Sequence, residues 1–250
     1  MSNHIPAALT AATWNVHGGR DRKGHPFHFA ERIARAGADI VGLQELELEY
    51  AANTGVEPIG VLNDSGFEHS IVQAFSDSPF SSNAKLAIAL LSFAPFVRAE
   101  TVSLPNVVRS MGVDSSFHDK GAIVSEISWL NTTIDVVALH VFPFHRVGLD
   151  ARDPRLRPVW AKLDELIRPR ANVPRIILGD FNTSHRFELL RSLQLGELTS
   201  IFLNSPSRDD GQSHDDILVS THWHPGQLHN IRTESDHNLL IASLTLNPQK

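Results

Sequence analysis

The feature that most constrains this chain is an apolar run that ends in an acid and an amide. Residues 175–178 read Arg-Ile-Ile-Leu, and Gly179, Asp180, Phe181 and Asn182 follow directly. The consecutive aliphatic residues predict a strand buried on both faces, which stops at Gly179, where the backbone can turn freely. Alternation along an extended chain would place Asp180 and Asn182 on one side and Phe181 in the core. An acid and an amide at a strand end can orient a water molecule and hold a phosphate oxygen. The structural alternative is a Gly-Asp turn followed by an Asn cap.

Polar side chains also end other predicted strands. Asn15 closes a β-like run that begins at Leu9, and Glu45 closes an apolar run over residues 39–45. His140 ends a third run. Each of these residues alone is typical of a solvated loop or a cap. Their repetition at strand ends favours a functional cluster instead.

The remaining patterns predict a strand-rich chain with a few helices. Helices are predicted at 28–36, 58–63, 153–167 and 186–193, and further strands at 86–91, 96–104, 121–129, 132–140, 216–220, 223–232 and from 239 onward. The strands at 86–91 and 96–104 are expected to be neighbours, and those at 121–129 and 132–140 to form a hairpin. No repeat or linker divides the chain, so we expect a single domain over residues 1–250.

Composition and charge exclude several classes of protein. The 250 residues include no cysteine, which rules out disulfides, thiolate metal sites and thiol nucleophiles. No apolar run is long enough to span a membrane, and no secretory signal is recognisable, so we expect a cytoplasmic monomer. The net charge of −6 argues against a nucleic-acid coat protein. An enzyme that handles phosphate through a metal ion remains compatible with it, because the ion brings its own positive charge.

Several short motifs occur together in a characteristic order along the chain. They are Trp14-Asn15, Gln44-Glu45, Leu139-His140, Gly179-Asp180-Phe181-Asn182, Asp215 before Ile217-Leu218-Val219-Ser220, and Ser235-Asp236-His237. In this order they resemble the endonuclease/exonuclease/phosphatase superfamily of metal-dependent phosphoesterases, which includes pancreatic-type deoxyribonucleases and neutral sphingomyelinases. The resemblance covers residues 14–241. It implies an α/β (α+β) fold, a four-layer αββα sandwich of two mixed β-sheets flanked by helices.

The resemblance also implies a metal site and a water-activating acid. Glu45 would be the principal carboxylate ligand of a Mg²⁺ or Mn²⁺ ion, with Asn15 and Asp236 in the same oxygen-rich shell. Asp180 would position and deprotonate the attacking water. Asn182 would donate a hydrogen bond to the phosphate.

Two histidines complete the implied set. His237 would stabilise the charge that builds on the phosphoryl oxygens, and Asp215 would hold its ring. Asp216 is the alternative acid, one residue out of the motif register. His140 would bind the phosphate from the other side or protonate the leaving oxygen.

The substrate is less constrained than the chemistry. Lys120 and His145 are candidates to contact substrate phosphate, although solvated loop positions fit them equally well. We expect hydrolysis of a phosphodiester; the alternatives are a phosphomonoesterase of a small metabolite or lipid headgroup, a nuclease acting on DNA, and an inactive binding module. The few cations near the expected cleft favour a small phosphoester or a flexible nucleic-acid end over long duplex DNA, because duplex binding relies on many phosphate contacts. These cations are Lys120, Arg146, Arg152 and Arg186. Their positive charge is partly offset by the carboxylates of Asp114, Asp119, Asp150 and Asp153.

Overall fold

The computed structural model describes residues 8–49, 65–111, 119–185 and 197–247. Its strands are β1 (Ala8–Asn15), β2 (Ile40–Glu49), β3 (His69–Asp77), β4 (Ala84–Ser92), β5 (Phe96–Ser103), β6 (Gly121–Trp129), β7 (Thr132–His140), β8 (Arg175–Asp180), β9 (Leu198–Ser200), β10 (Asp215–Ser220), β11 (Trp223–Ile231) and β12 (Leu239–Leu246). The α-helices are α1 (Phe29–Ala36) and α2 (Arg157–Ile167), and short 3₁₀ helices lie at His17–Gly19, Val107–Met111, Phe144–Val147 and Pro154–Leu156. None of the described helices is long and apolar enough to cross a membrane.

The strands form two sheets of mixed direction. The first has the order β11-β12-β1-β2-β4-β3, and the second has the order β5-β6-β7-β8-β10-β9. β1 and β2 run parallel, as do β7 and β8, while the other pairs are antiparallel. An apolar layer between the sheets includes Leu9 and Leu90 from the first and Ile123 and Leu178 from the second. This arrangement confirms the predicted sandwich.

The helices cover the outer faces of the two sheets. Phe29 and Ile33 of α1 pack with Trp14 against the first sheet. The left-handed Gly37, at φ 62°, caps the C-terminal end of this helix. On the other side, Leu163 of α2 packs against the second sheet. The helices therefore complete the four layers.

β2 differs from its prediction in a way that positions a site residue. The expectation that the strand ends at Glu45 is wrong, because β2 continues to Glu49. Glu45 has a φ of 56°, and the pairing of β2 with β4 shifts register between Leu43 and Leu46. Such a bulge turns one residue out of the ladder and re-aims its side chain. Glu45 is thus presented by a bulge within the strand.

Gly179 also has a different role from the one predicted. β8 runs through it to Asp180, so the predicted stop is wrong. A Cβ atom at Gly179 would lie 2.4 Å from the backbone oxygen of Leu139 and 2.9 Å from its side chain. The glycine is required because β7 approaches it closely.

Gly179→Ala should therefore destabilise the fold. Overpacking of this kind costs about 1–3 kcal/mol, and we expect the urea midpoint of unfolding to fall accordingly. Gly226→Ala is the matched control, because its nearest neighbour, the backbone oxygen of Ser243, is 3.4 Å away. Equal midpoints for the two variants would contradict this explanation.

Other elements confirm or correct the sequence predictions. The β6–β7 hairpin is confirmed, and its turn residues Leu130 and Asn131 have φ values of 46° and 64°. The expected pairing of 96–104 with 86–91 is wrong: β5 pairs with β6 in the second sheet, whereas β4 lies between β2 and β3. The helices predicted at 58–63 and 186–193 lie outside the described residues.

Candidate active site

One edge of the second sheet brings three site residues into a single row. Asp180 of β8 is paired with His140 of β7 on one side and with Asp215 of β10 on the other. All three side chains are almost fully buried. The row exists because β7 and β8 are parallel and β10 begins where β8 ends. Residues far apart in the sequence therefore meet at one edge.

The first sheet contributes Asn15 at the end of β1. Its Nδ2 donates to Asp180 Oδ2 at 3.0 Å, and its Oδ1 accepts from the backbone N–H of His17 at 3.0 Å. The amide therefore bridges the two sheets and fixes one oxygen of Asp180.

His237 lies against this row with one ring nitrogen held. Its Nδ1 is 2.7 Å from Asp215 Oδ2, which also accepts a 2.6 Å hydrogen bond from Ser207 Oγ. Nε2 lies 4.0 Å from Asp180 Oδ2. Asp216 instead binds the backbone N–H of Phe202 at 2.8 Å. The geometry thus agrees with the choice of Asp215 over Asp216.

His140 lies between two carboxylates. Its Nε2 is 3.6 Å from Asp180 Oδ2 and 3.7 Å from Glu45 Oε1. These distances are too long for hydrogen bonds, and Nε2 is buried without a partner among the described residues. Nε2 of His140 is therefore available to hydrogen-bond a ligand.

Asn182 reaches the same cluster by a turn. Its φ of 52° is incompatible with the extended alternation that the sequence suggested, although Phe181 is buried as predicted. The backbone N–H of Asn182 donates to Asp180 Oδ1 at 2.7 Å, and its Nδ2 donates to the carbonyl of Val141 at 2.7 Å. Both oxygens of Asp180 are therefore oriented by amides.

Burial and neighbouring charges shift the protonation of the central groups. Burial and the Asp215 carboxylate raise the pKa of Asp180 to about 7. Burial, with the nearby Lys120 and His237, holds the pKa of His140 well below its usual value. Burial also lowers the pKa of His237, but the carboxylates around it, Asp215 first, outweigh this and raise it to about 10.

Arg208 enters the cluster and was missed by the sequence analysis. Its Nη1 lies 2.6 Å from His237 Nε2 and 3.1 Å from Asp236 Oδ2. Nε2 can accept an N–H bond only while the ring is neutral, so this contact favours the neutral ring and opposes the carboxylates that raise its pKa. A single arginine in a polar loop carries no sequence signal that distinguishes it from a solvated one.

Lys120 and His145 have different environments. Lys120 is buried, which lowers its pKa, although Glu45 and Asp180 are near enough to oppose the shift. The solvated reading of Lys120 is therefore wrong. His145 is exposed, and its ring centre lies 5.3 Å from that of His214. It belongs to the rim of the cluster.

Several carboxylate oxygens of the site are not satisfied by hydrogen bonds. Within the described part of the chain, Glu45 accepts none, and Oδ1 of Asp236 is buried without a partner and 3.7 Å from His17 Nδ1. Unsatisfied carboxylate oxygens suit a hard divalent cation. The unsatisfied oxygens of Glu45 and Asp236 are therefore chemically suited to such an ion, whereas Asn15 Oδ1 already accepts a hydrogen bond from His17 N–H.

A second group has a geometry compatible with a metal. Ligand atoms of Asp180, Asp215 and His237 lie within 4.8 Å of one another. Asp215 Oδ2, however, is already bound to His237 and to Ser207. This bonding favours a hydrogen-bonded acid and histidine pair over a ligand set.

The αββα sandwich carries a cluster of acids and histidines at one end of the strands of its second sheet. The sequence matches the model of the Endonuclease/Exonuclease/phosphatase family over residues 12–237. This is most of the chain, which therefore belongs to that family. The family is metal-dependent, and its members hydrolyse phosphoesters.

Solved structures share the fold at low sequence identity. An endonuclease/exonuclease/phosphatase from Beutenbergia cavernae DSM 12333 aligns with a TM-score of 0.76 at 16% identity, over 96% of this chain and 72% of that one. The mannosyl-6-phosphatase Bt3783 from Bacteroides thetaiotaomicron VPI-5482 aligns with a TM-score of 0.61 at 18% identity, over 95% of this chain and 100% of that one. ANGEL2, a 2′,3′-cyclic phosphatase in complex with adenosine-2′,3′-vanadate, aligns with a TM-score of 0.63 at 14% identity, over 97% of each chain. No curated protein matches the sequence.

Proposed function

We propose that this protein is a divalent-metal-dependent phosphodiesterase that uses Asp180 to activate water. The observation that carries the proposal is the row of His140, Asp180 and Asp215, with His237 held by Asp215 and turned toward Asp180. A phosphodiester is an anion that repels nucleophiles. Its hydrolysis needs a positioned water and donors for the developing charge, and this row offers both.

Asp180 is the proposed general base. Asn15 and the backbone of Asn182 each donate a hydrogen bond to one of its oxygens, so the carboxylate cannot rotate. A fixed carboxylate can hold a water molecule in one orientation and take its proton as the water attacks phosphorus.

The two histidines are proposed to act on the phosphoryl group. Nδ1 of His237 is committed to Asp215, so only Nε2 is available to hydrogen-bond a phosphoryl oxygen. Nε2 of His140 is free of hydrogen bonds within the described chain and is available to bind the phosphate. Because its lowered pKa keeps the ring neutral, it would protonate the leaving oxygen only after taking up a proton beside the bound anion. Asn182 carries a second amide hydrogen on Nδ2, beyond the one given to Val141, for the same phosphate.

Glu45, Asn15 and Asp236 are the proposed ligands of Mg²⁺ or Mn²⁺. When bound, such an ion neutralises phosphate charge and polarises the phosphoryl oxygens. Asn15 also has a structural role, because the same side chain donates a hydrogen bond that orients the carboxylate of Asp180. Loss of Asn15 would therefore disturb two functions at once.

A phosphomonoesterase is the second candidate for this site. Lys120 is buried and Arg208 is largely so, and together they place two cationic side chains at the cluster. A terminal phosphate carries more negative charge than a diester and would interact more strongly with such cations. Two proteins of similar fold support keeping both candidates, since Bt3783 is a mannosyl-6-phosphatase and ANGEL2 is a 2′,3′-cyclic phosphatase.

A substrate panel tests the proposal. Bis(p-nitrophenyl) phosphate, p-nitrophenyl phosphate, sugar and inositol phosphates, RNA and plasmid DNA would each be assayed with Mg²⁺ and with Mn²⁺, at low and moderate salt. We expect turnover of small diesters with weak salt dependence. Turnover restricted to monoesters would favour the second candidate. Fast, strongly salt-sensitive cleavage of duplex DNA with inert small esters would contradict the expected substrate class.

A further inference from the structure

We propose that Arg208 is a substrate-binding residue whose guanidinium moves from His237 onto the phosphoryl oxygens when a phosphoester binds. The inference rests on the proposed function, because it concerns the same site. It assigns a role to Arg208, which no sequence motif identified. Arg208 lies in the polar loop before β10.

The contacts of Arg208 point its guanidinium at the reaction centre. Nε is held by the carboxylate of Asp210, with distances of 3.2 and 3.4 Å to its two oxygens. Nη1 contacts His237 Nε2 at 2.6 Å and Asp236 Oδ2 at 3.1 Å. Nη2 has no hydrogen-bond partner in the described ranges. One edge of the guanidinium is therefore anchored, while the other is turned toward the site.

The backbone around Arg208 is fixed relative to His237. Asn238 N–H donates to the carbonyl of Ser207 at 2.7 Å, and Asp209 N–H donates to the carbonyl of Asp236 at 3.2 Å. Arg208 itself forms an isolated β-bridge with His237. The same short segment thus orients Asp215 through Ser207 and supplies Arg208 next to His237. A solvated arginine would not require hydrogen bonds that hold its backbone beside His237.

The contact with His237 is one that a phosphate would replace. Nε2 is the only ring nitrogen of His237 that Asp215 leaves available, so it must face the substrate in the proposed reaction. A guanidinium forms stronger, charge-assisted and often bidentate bonds with phosphate oxygens than with a neutral imidazole. The side chain of Arg208 is 17% exposed, which leaves it accessible to a ligand.

A structural ion pair is the alternative role for Arg208. Its partners Asp210 and Asp236 would then be the reason for its position. That role explains the contacts of Nε with Asp210 and of Nη1 with Asp236, but it does not require the contact of Nη1 with His237 Nε2. Asp236 is also a proposed ligand of the cation, and a bound cation would weaken its attraction for Arg208.

Equilibrium binding of inorganic phosphate in the presence of Mg²⁺, measured by calorimetry, tests the proposal. Arg208→Ala should weaken phosphate binding on the order of tenfold to a hundredfold, as expected for loss of a charged hydrogen-bonding group. Arg208→Lys should restore binding only in part, because an ammonium lacks the bidentate geometry. The KM for a small phosphoester should rise by a similar factor in Arg208→Ala.

Arg232→Ala is the matched control. The side chain of Arg232 is 74% exposed, and its ion pair joins Nε to Asp209 at 3.6 Å rather than to His237. Its removal deletes the same charge and should leave phosphate binding unchanged. If Arg208→Ala does not fold, phosphate binding is compared instead between Arg208→Lys and its control Arg232→Lys.

Two results would overturn the assignment. One is phosphate binding by Arg208→Ala within twofold of the wild type, and the other is a wild type that does not bind phosphate. Phosphate binding that depends on Arg208, in a protein that hydrolyses no ester of the panel, would refute the proposed function alone. The two proposals can therefore fail separately.

Discussion

His237→Ala is expected to lower the turnover of a small phosphodiester by about a hundredfold or more, as the loss of one donor to developing charge typically does. The ring is held by Asp215 at 2.7 Å, and its other nitrogen, Nε2, lies 4.0 Å from Asp180 Oδ2. Truncation removes the donor and leaves Asp215 buried without it. Initial rates at saturating metal, with KM and kcat separated, measure the effect.

The control for this variant is His224→Ala. His224 is exposed on β11, away from the row at the sheet edge, so its loss should leave turnover unchanged. A rate for His237→Ala within a few-fold of the wild type, in a protein that remains folded, would show that the assigned role is wrong.

Asp180→Asn should cost about 10²- to 10⁴-fold in turnover, the range attributed to a positioned general base. The change keeps the shape of the side chain and removes its ability to take a proton. Burial raises the pKa of Asp180, so the carboxylate pays a desolvation penalty in the folded protein. The NH2 group of the variant would oppose one of the two N–H donors that now bind Asp180, which offsets the relieved penalty, so we expect the variant to remain folded with a melting temperature close to that of the wild type.

This pairing of lost turnover with retained stability separates catalysis from folding. Asp164→Asn is the control, because Asp164 lies on α2 and pairs there with Arg168. Its turnover should match the wild type. Substantial turnover by Asp180→Asn would remove the proposed base from the mechanism.

Much of the architecture follows from local pattern. The β8 strand, the β6–β7 hairpin and the left-handed Gly37 after α1 are each determined by residues close in sequence. Asp153 caps the short helix Pro154–Leu156 in the same local way, because it accepts a hydrogen bond from Arg155 N–H at 2.9 Å. These features have short-range causes, so the sequence alone suffices.

Other features depend on contacts between distant segments. The strand β3 is half-buried along most of its length and lacks a clear alternation, so no period marked it. The bulge at Glu45 is imposed by pairing with β4, which a continuous apolar run conceals. Gly179 was read as a turn residue because its close neighbour, Leu139, is 40 residues earlier in the chain.

The candidate site shows the same division. The order of motifs brought His140, Asp180 and Asp215 to attention, and the structure places them side by side. Arg208 escaped notice because its position depends on hydrogen bonds between its loop and the loop of His237. Only the folded chain brings these two loops together.

The metal requirement of turnover tests the central claim most directly. Wild-type protein would be assayed on bis(p-nitrophenyl) phosphate before chelation, in excess chelator and after addition of Mg²⁺ or Mn²⁺, with Glu45→Gln alongside. We predict that turnover vanishes with chelator and returns with either ion. Glu45→Gln should require a higher metal concentration for half-maximal turnover and reach a lower maximal rate than the wild type, while its unfolding temperature stays similar. Full turnover in excess chelator, or a Glu45→Gln variant with the metal dependence of the wild type, would contradict the account.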